Sequence, residues 1–159
     1  YSIKSYRFFC PVAPSKMNRN REKIFNEVKT KGYKMISYIH SSVNVNNAVI
    51  GENCFIFEDN TIQPFVKIGD NVIMWSGNHI GHHSIIDSHV MFTSHVVLSG
   101  KCKVHSNTFF GVNSTIRDGL TIAKGTFITM GSVIVKSTEE WSFYKGNPAL
   151  KSKRSTILL

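Results

Sequence analysis

From Ile50 to Ile134 every sixth residue is apolar. The series runs Ile50, Ile56, Ile62, Ile68, Met74, Ile80, Ile86, Phe92, Leu98, Val104, Phe110, Ile116, Ile122, Ile128 and Ile134. At an apolar content of 42%, an unbroken series of this length has a chance expectation of roughly one in several hundred thousand. Neither a helix period of 3.6 nor a strand period of 2 produces it alone. The residues two places earlier are mostly small or β-branched, among them Cys54, Val66, Val72, Ser84, Val90, Val96, Cys102 and Ser114. Residues two apart in a strand share a face. Each pair is therefore the inward face of one very short strand. Gly51, Gly69, Gly81 and Gly111 follow the large residue and read as turn positions. The pattern predicts an all-β solenoid of hexapeptide repeats. Three strands close one triangular coil of about 18 residues, so residues 18 apart stack. Parallel crossovers are normally right-handed, and the period does not set the hand.

The flanks differ from this centre. Residues 1–47 read as a helix–strand segment. Asn20 is placed to cap a helix from Arg21, with Ile24, Phe25 and Val28 on one face and Gly32 as its stop. Tyr33 to Ile39 then reads as a strand. Residues 48–136 form the solenoid. In residues 137–159 the register breaks between Ser137 and Tyr144, and Gly146-Asn147-Pro148-Ala149 forms a turn cluster.

Charge adds one choice. The formal net charge is +9, which suits either nucleic acid or phosphorylated small molecules. The basic residues gather between Lys16 and Lys34 and between Lys145 and Arg154, while the centre is nearly neutral. No nucleic-acid module is visible, so small molecules are favoured. No run approaches the length of a membrane span, and no signal-peptide pattern opens the chain. The cysteines, Cys10, Cys54 and Cys102, are odd in number and lack zinc-ligand spacing. Cys54 and Cys102 fall on inward positions and read as core thiols. A reducing cytoplasm is the default compartment.

Three segments carry a family resemblance. The hexapeptide array resembles the hexapeptide-repeat acyltransferases. The Gly146–Ala149 turn with its basic tail is similar to the end of that fold. The segment Asn78-His79-Ile80-Gly81-His82-His83-Ser84 is similar to the active-site segment of a bacterial branch. That branch holds the N-acetyltransferases of nucleotide-linked 4-amino sugars and the sialic acid O-acetyltransferase-like proteins. Residues 21–42 resemble the last helix and strand of the branch's N-terminal domain, most of which has no counterpart here. The resemblance covers about residues 18–154. It implies a left-handed parallel β-helix with a short N-terminal α/β remnant of a sugar-nucleotide-binding domain. It also implies a homotrimer with sites between adjacent subunits, acetyl-CoA as co-substrate, and a sugar or nucleotide-sugar acceptor in surface polysaccharide biosynthesis.

Acetyl transfer from a thioester needs a base, an oxyanion donor and a groove for the pantetheine arm. Five of the seven histidines lie between His79 and His105. His82 follows Gly81 and falls on an outward corner. Read alone it is a solvated surface histidine; by resemblance it is the general base. His83 stands where many relatives carry an acidic residue, and reads as a hydrogen-bonding support for His82, an acceptor contact or plain surface. Asn78 is tempting as an oxyanion donor, but lies inward, 18 residues after Asn60, so an internal amide ladder is the better reading. His89 and His95 fall on outward positions, either as ordinary surface or reaching a neighbouring subunit's cleft.

Ser76, Ser94, Val112 and Met130 are spaced by 18 and share one outward corner. A small and apolar row suits pantetheine, although packing in a trimer would use such a row too. By resemblance, backbone near Met91, Val112 and Met130 contacts acetyl-CoA. Lys151, Lys153 and Arg154 are placed either to meet the CoA phosphates or as a loose basic tail.

Two other functions compete. A γ-carbonic-anhydrase-like zinc hydratase shares the solenoid, and its centre resembles three histidines with two of them five residues apart; no two histidines here have that spacing. A non-catalytic binding or assembly solenoid is the third reading. No metal is expected.

Overall fold

The computed structural model describes residues 2–45 and 47–159. Residues 38–155 wind into three parallel sheets that form the sides of a triangular prism. The first sheet stacks Tyr38–Ile39, Phe55–Ile56, Ile73–Met74, Met91–Phe92, Phe109–Phe110, Phe127–Ile128 and Ser142–Lys145, and ends on the antiparallel strand Leu150–Ser155. The second stacks Thr61–Ile62, His79–Ile80, Val97–Leu98, Thr115–Ile116 and Val133–Ile134. The third stacks Val49–Ile50, Lys67–Ile68, Ile85–Ile86, Lys103–Val104 and Thr121–Ile122. Phe55 pairs with Ile73, and Val97 with Thr115, which is the 18-residue rule drawn from the sequence. The coil is that of a left-handed β-helix.

Every residue of the apolar series except Ile50 is fully shielded, at no more than 3% exposure. Phe92 and Phe110 stack inside the prism with centroids 4.3 Å apart and planes within 7°. Cys54 and Cys102 are buried among them, and burial pushes the Cys54 thiol up to about 11, which suits an inert core thiol.

The turns have a different cause from the one read in the sequence. Gly51, Gly69, Gly81 and Gly111 do not carry the left-handed backbone. Asn47, Asn53, Asp59, Phe65, Asn71, Gly77, His83, His89, His95, Lys101, Asn107, Asn113, Gly119, Gly125 and Gly131 do, at every sixth position. Asn, Asp, His and Gly tolerate this conformation best, and they fill most of the column. Gly81 is required for a different reason: a Cβ there would drive into the backbone of Ser99 and Gly100 in the next coil.

The flanks join the solenoid further in than the domain limits at 47 and 137 suggest. Tyr38–Ile39 is already the first rung of the first sheet, and Asn44 bridges to Thr61. After the break, Phe143 pairs with Phe127 as one more rung. The helix α1 spans Arg19–Thr30, two residues earlier than expected. Asn18, itself in the left-handed region, precedes it without a side-chain cap, whereas Asn20 lies within the helix and bonds the Ser15 hydroxyl. Gly32 ends the helix as expected, with φ +82° and its N–H on the Lys29 carbonyl. Of the residues 33–39 only Tyr38 and Ile39 form a strand, because Met35 is instead bridged to Phe8.

Helix α1 runs along the edge between the third and first sheets. Arg21 donates to Asn71 Oδ1 at 2.6 Å, Asn107 donates to Glu22 at 2.9 Å, and Lys29 pairs with Glu52 at 2.6 Å. Burial lowers the Arg21 guanidinium to about 10, so this helix is held by polar contacts to the left-handed column as well as by Phe25. Among the described residues no helix is long and apolar enough to cross a membrane.

Candidate active site

His82 stands on the edge between the second and third sheets, just past His79–Ile80. Its main-chain N–H donates to the Gln63 side-chain carbonyl at 2.8 Å. Its ring lies over Gly100, eighteen residues on, where any Cβ would collide with the imidazole. Its Nδ1 is 3.0 Å from His83 Nδ1. The ring of His83 packs in turn on Phe65, with centroids 4.8 Å apart. Both histidines are exposed. The sequence brought His82 and His83 to notice, and the structure sets them side by side. It missed Gly100, although the 18-residue rule pointed at it, and Gln63, which lies nineteen residues before His82 and one place off that rule.

The other histidines sort by environment. His89 is not on open surface: it is 8% exposed, bonded to Asn71 and edge-on to Phe25 of α1, so the helix closes it off from any neighbouring cleft. Burial holds its pKa below the usual imidazole value. His95 is exposed and its ring lies against Gly77. His105 is tied to Asp87 at 2.9 Å. His79 sits on the outward side of the second sheet between Thr61 and Val97.

Asn78 belongs to a ladder. Asn60 Oδ1 accepts from the Asn78 main-chain N–H at 3.2 Å, and Asn78 Oδ1 accepts from Val96 N–H at 2.8 Å. Both amide groups donate to the Trp75 carbonyl. Each side-chain oxygen thus serves the backbone of the next coil, Asn60 that of Asn78 and Asn78 that of Val96, and neither side chain faces solvent. Asn78→Ala should therefore destabilise by about 1–3 kcal/mol, the cost of leaving the buried Val96 N–H unpaired. Denaturant melts check this, and an unchanged midpoint would reject the ladder.

Ser94, Val112 and Met130 do stack along one edge, between the first and second sheets. Main-chain bonds from Asn113 to Ser94 and from Gly131 to Val112 fix their succession. Val112 and Met130 are 38% and 77% exposed, so the row presents apolar side chains to its surroundings. Met91 departs from expectation. It lies on the outward side of the first sheet but is 2% exposed, and its N–H is spent on the Thr108 carbonyl. It therefore does not line that edge. Lys151 is in the ordered C-terminal strand and pairs with Glu139 at 2.5 Å; it is neither frayed nor a free cation. Lys153 and Arg154 remain exposed in the same strand.

His82 and the Ser94–Met130 row occupy different edges of the prism, separated by the second sheet. One chain does not bring them together.

Residues 47–82 match the bacterial transferase hexapeptide (six repeats) family. The chain is 23% identical over 126 residues to an acyl-[acyl-carrier-protein]–UDP-N-acetylglucosamine O-acyltransferase of Sinorhizobium fredii, an alignment covering 75% of this chain and 47% of that protein. The chain thus spans about half the length of the curated relatives it matches. Among solved structures, the acetyltransferase domain of PglB from Neisseria gonorrhoeae superposes with a TM-score of 0.89 at 24% identity, over 96% of this chain and 73% of that one. A perosamine N-acetyltransferase from Caulobacter crescentus, in complex with CoA and GDP-perosamine, gives 0.88 at 23%, over 93% and 70%. The chain is a left-handed β-helix whose coils carry, over residues 47–82, the bacterial transferase hexapeptide repeat.

Proposed function

We propose that this chain is an acetyl-CoA-dependent acetyltransferase that modifies an amino or hydroxyl group of a nucleotide-linked sugar in bacterial surface-glycan biosynthesis. It acts as a cytoplasmic homotrimer with His82 as general base. The observation that carries the reading is the mounting of His82. Its main chain is held by Gln63, its Nδ1 by His83, and its ring projects from an edge over Gly100. That leaves Nε2 as the working nitrogen. The acceptor nitrogen or oxygen attacks the thioester carbonyl and gives its proton to Nε2. The C–S bond breaks, and the departing thiolate takes the proton to leave as CoA. In a trimer the His82 edge of one protomer meets the Ser94–Val112–Met130 edge of the next, which joins the base to a channel for pantetheine. Lys153 and Arg154 are the free cations of the tail strand for the CoA phosphates.

The solved neighbours support the co-substrate, since the PglB domain is also known in complex with acetyl coenzyme A. The test is acetyl-CoA calorimetry with a CoA-release assay against nucleotide-linked 4-amino sugars and sialic acid. Micromolar to millimolar binding with release on one acceptor is expected. No binding at millimolar acetyl-CoA would leave the solenoid as a non-catalytic module.

A further inference from the structure

Among the described residues Arg21 is the only Lys or Arg that is buried, and no Asp or Glu is buried with it. Its guanidinium bonds neutral oxygens. Nη1 donates to the Val12 carbonyl, and Nη2 donates to the main-chain and side-chain oxygens of Asn71. Two carboxylates of the neighbouring elements are engaged elsewhere. Glu22 accepts from the Asn107 amide and faces His89, and Asp70 accepts from the Glu52 N–H. Among the described residues no carboxylate forms an ion pair with Arg21. Burial lowers its pKa only to about 10, so it stays cationic at neutral pH. A charge taken out of water is ordinarily paired, and a guanidinium has more N–H groups than these bonds use.

The same side chain lines a cleft of about 250 Å³ between residues 11–14 and the outward side of the first sheet. Its other walls include Phe9, Phe55, Phe57, Ile73 and Trp75, and Arg21 is the only charged residue that lines it. The Phe55 ring stands 5.4 Å from Phe9 and 4.5 Å from Phe57, centroid to centroid, so the rings brace one another. Trp75 is 49% exposed, which leaves its indole open to a ligand. An aromatic wall and an uncompensated cation therefore share one cavity. None of these residues has a part in the acetyl transfer proposed above.

We propose that this cleft binds a small aromatic carboxylate, its ring against Trp75 and Phe57 and its carboxylate on Arg21. Charge selects the head group. One guanidinium neutralises one carboxylate, and a charge-assisted hydrogen bond gains strength where water is excluded. A phosphate monoester carries about two negative charges at neutral pH, and one of them would stay uncompensated among apolar walls. Volume selects the body. A cavity of about 150 Å³ accommodates benzene, so this cleft has room for one ring and a short arm. The aromatic walls favour a ring over an alkyl chain, through edge-to-face and offset-stacked contacts. A bound ligand would also tie residues 11–14 to the first sheet.

The test titrates 3-phenylpropanoate into the intact protein, followed by calorimetry and by tryptophan fluorescence. Saturable binding in the micromolar to millimolar range is expected, with a fluorescence change that Trp75→Phe removes. The neutral 3-phenylpropanamide should bind roughly 10–100-fold more weakly, the share of a hydrogen bond to a charged group. Phenyl phosphate should also bind more weakly than the carboxylate. Ala13→Phe adds a ring where Ala13 lines the cleft and leaves the partners of Arg21 in place, so it should abolish binding. Arg21→Met should erase the preference for carboxylate over amide; should that variant unfold, the amide comparison in the wild type decides the same point. No binding of 3-phenylpropanoate at millimolar concentration, or equal binding by wild type and Ala13→Phe, overturns the site. Equal affinity for carboxylate and amide overturns the role of Arg21. Tighter binding of the phosphate overturns the assignment of a carboxylate.

Discussion

Replacing His82 by alanine is expected to lower kcat by roughly 10²–10⁴ and to leave the fold untouched. The separation of the two effects follows from where the ring sits. The imidazole is exposed and touches Gly100 and His83, while the contact that orders the local backbone is the main-chain N–H to Gln63, which alanine keeps. Melting temperature and oligomeric state should therefore match wild type. The 3.0 Å contact between the two Nδ1 atoms holds one proton. For Nε2 of His82 to act as a base, His82 must donate that proton and His83 must accept it while neutral. On the proposed mechanism His83 would be a neutral acceptor where a carboxylate would be an anionic one, and the base would gain orientation without the added charge. Turnover of His82→Ala within threefold of wild type would remove the base assignment, and with it the reason for giving His83 a supporting part.

The sequence carried the coil, though not its hand, because the period dictates how residues stack. An apolar residue every sixth position stacks only if three short strands close a coil, and the observed pairing of Phe55 with Ile73 and of Val97 with Thr115 is that solution. A second period went unread. The left-handed column, from Asn47 to Gly131, is as regular as the apolar one. Reading it would have given His83, His89 and His95 a backbone reason for being histidine before any catalytic one. The site was legible only in part. The Ser94–Met130 row follows from stacking, whereas His82 and His83 were singled out by the resemblance of their segment. The burial of Met91 and His89 does not, because it depends on where residues 8–30 lie, and that path is set by long-range contacts such as Arg21 to Asn71 and Asn18 to His89. The pairing of Lys151 with Glu139 escaped for the same reason: a break of register precedes it, and beyond the break the 18-residue rule no longer assigns neighbours.

Phe110→Ala is expected to cost about 3–5 kcal/mol, whereas Phe109→Ala, one residue away, should cost a fraction of that. Phe110 is fully enclosed in the prism and stacks on Phe92, so truncation opens a cavity between two closed coils that cannot collapse without breaking the sheet ladders on three sides. Phe109 points out of the same strand. It is half-buried and stacks on Phe127 at 4.7 Å, where loss of the ring can be filled by solvent or by movement of the N-terminal segment over it. Because a solenoid transmits stability from rung to rung, the Phe110 cavity should also loosen coils on both sides, seen as faster amide exchange from residue 92 to residue 128. Denaturant unfolding of the two variants side by side measures the difference. Equal losses would mean that inward and outward faces are exchanged at this strand, and a one-residue slip here would move every residue of the row through Val112 and Met130 off its edge as well.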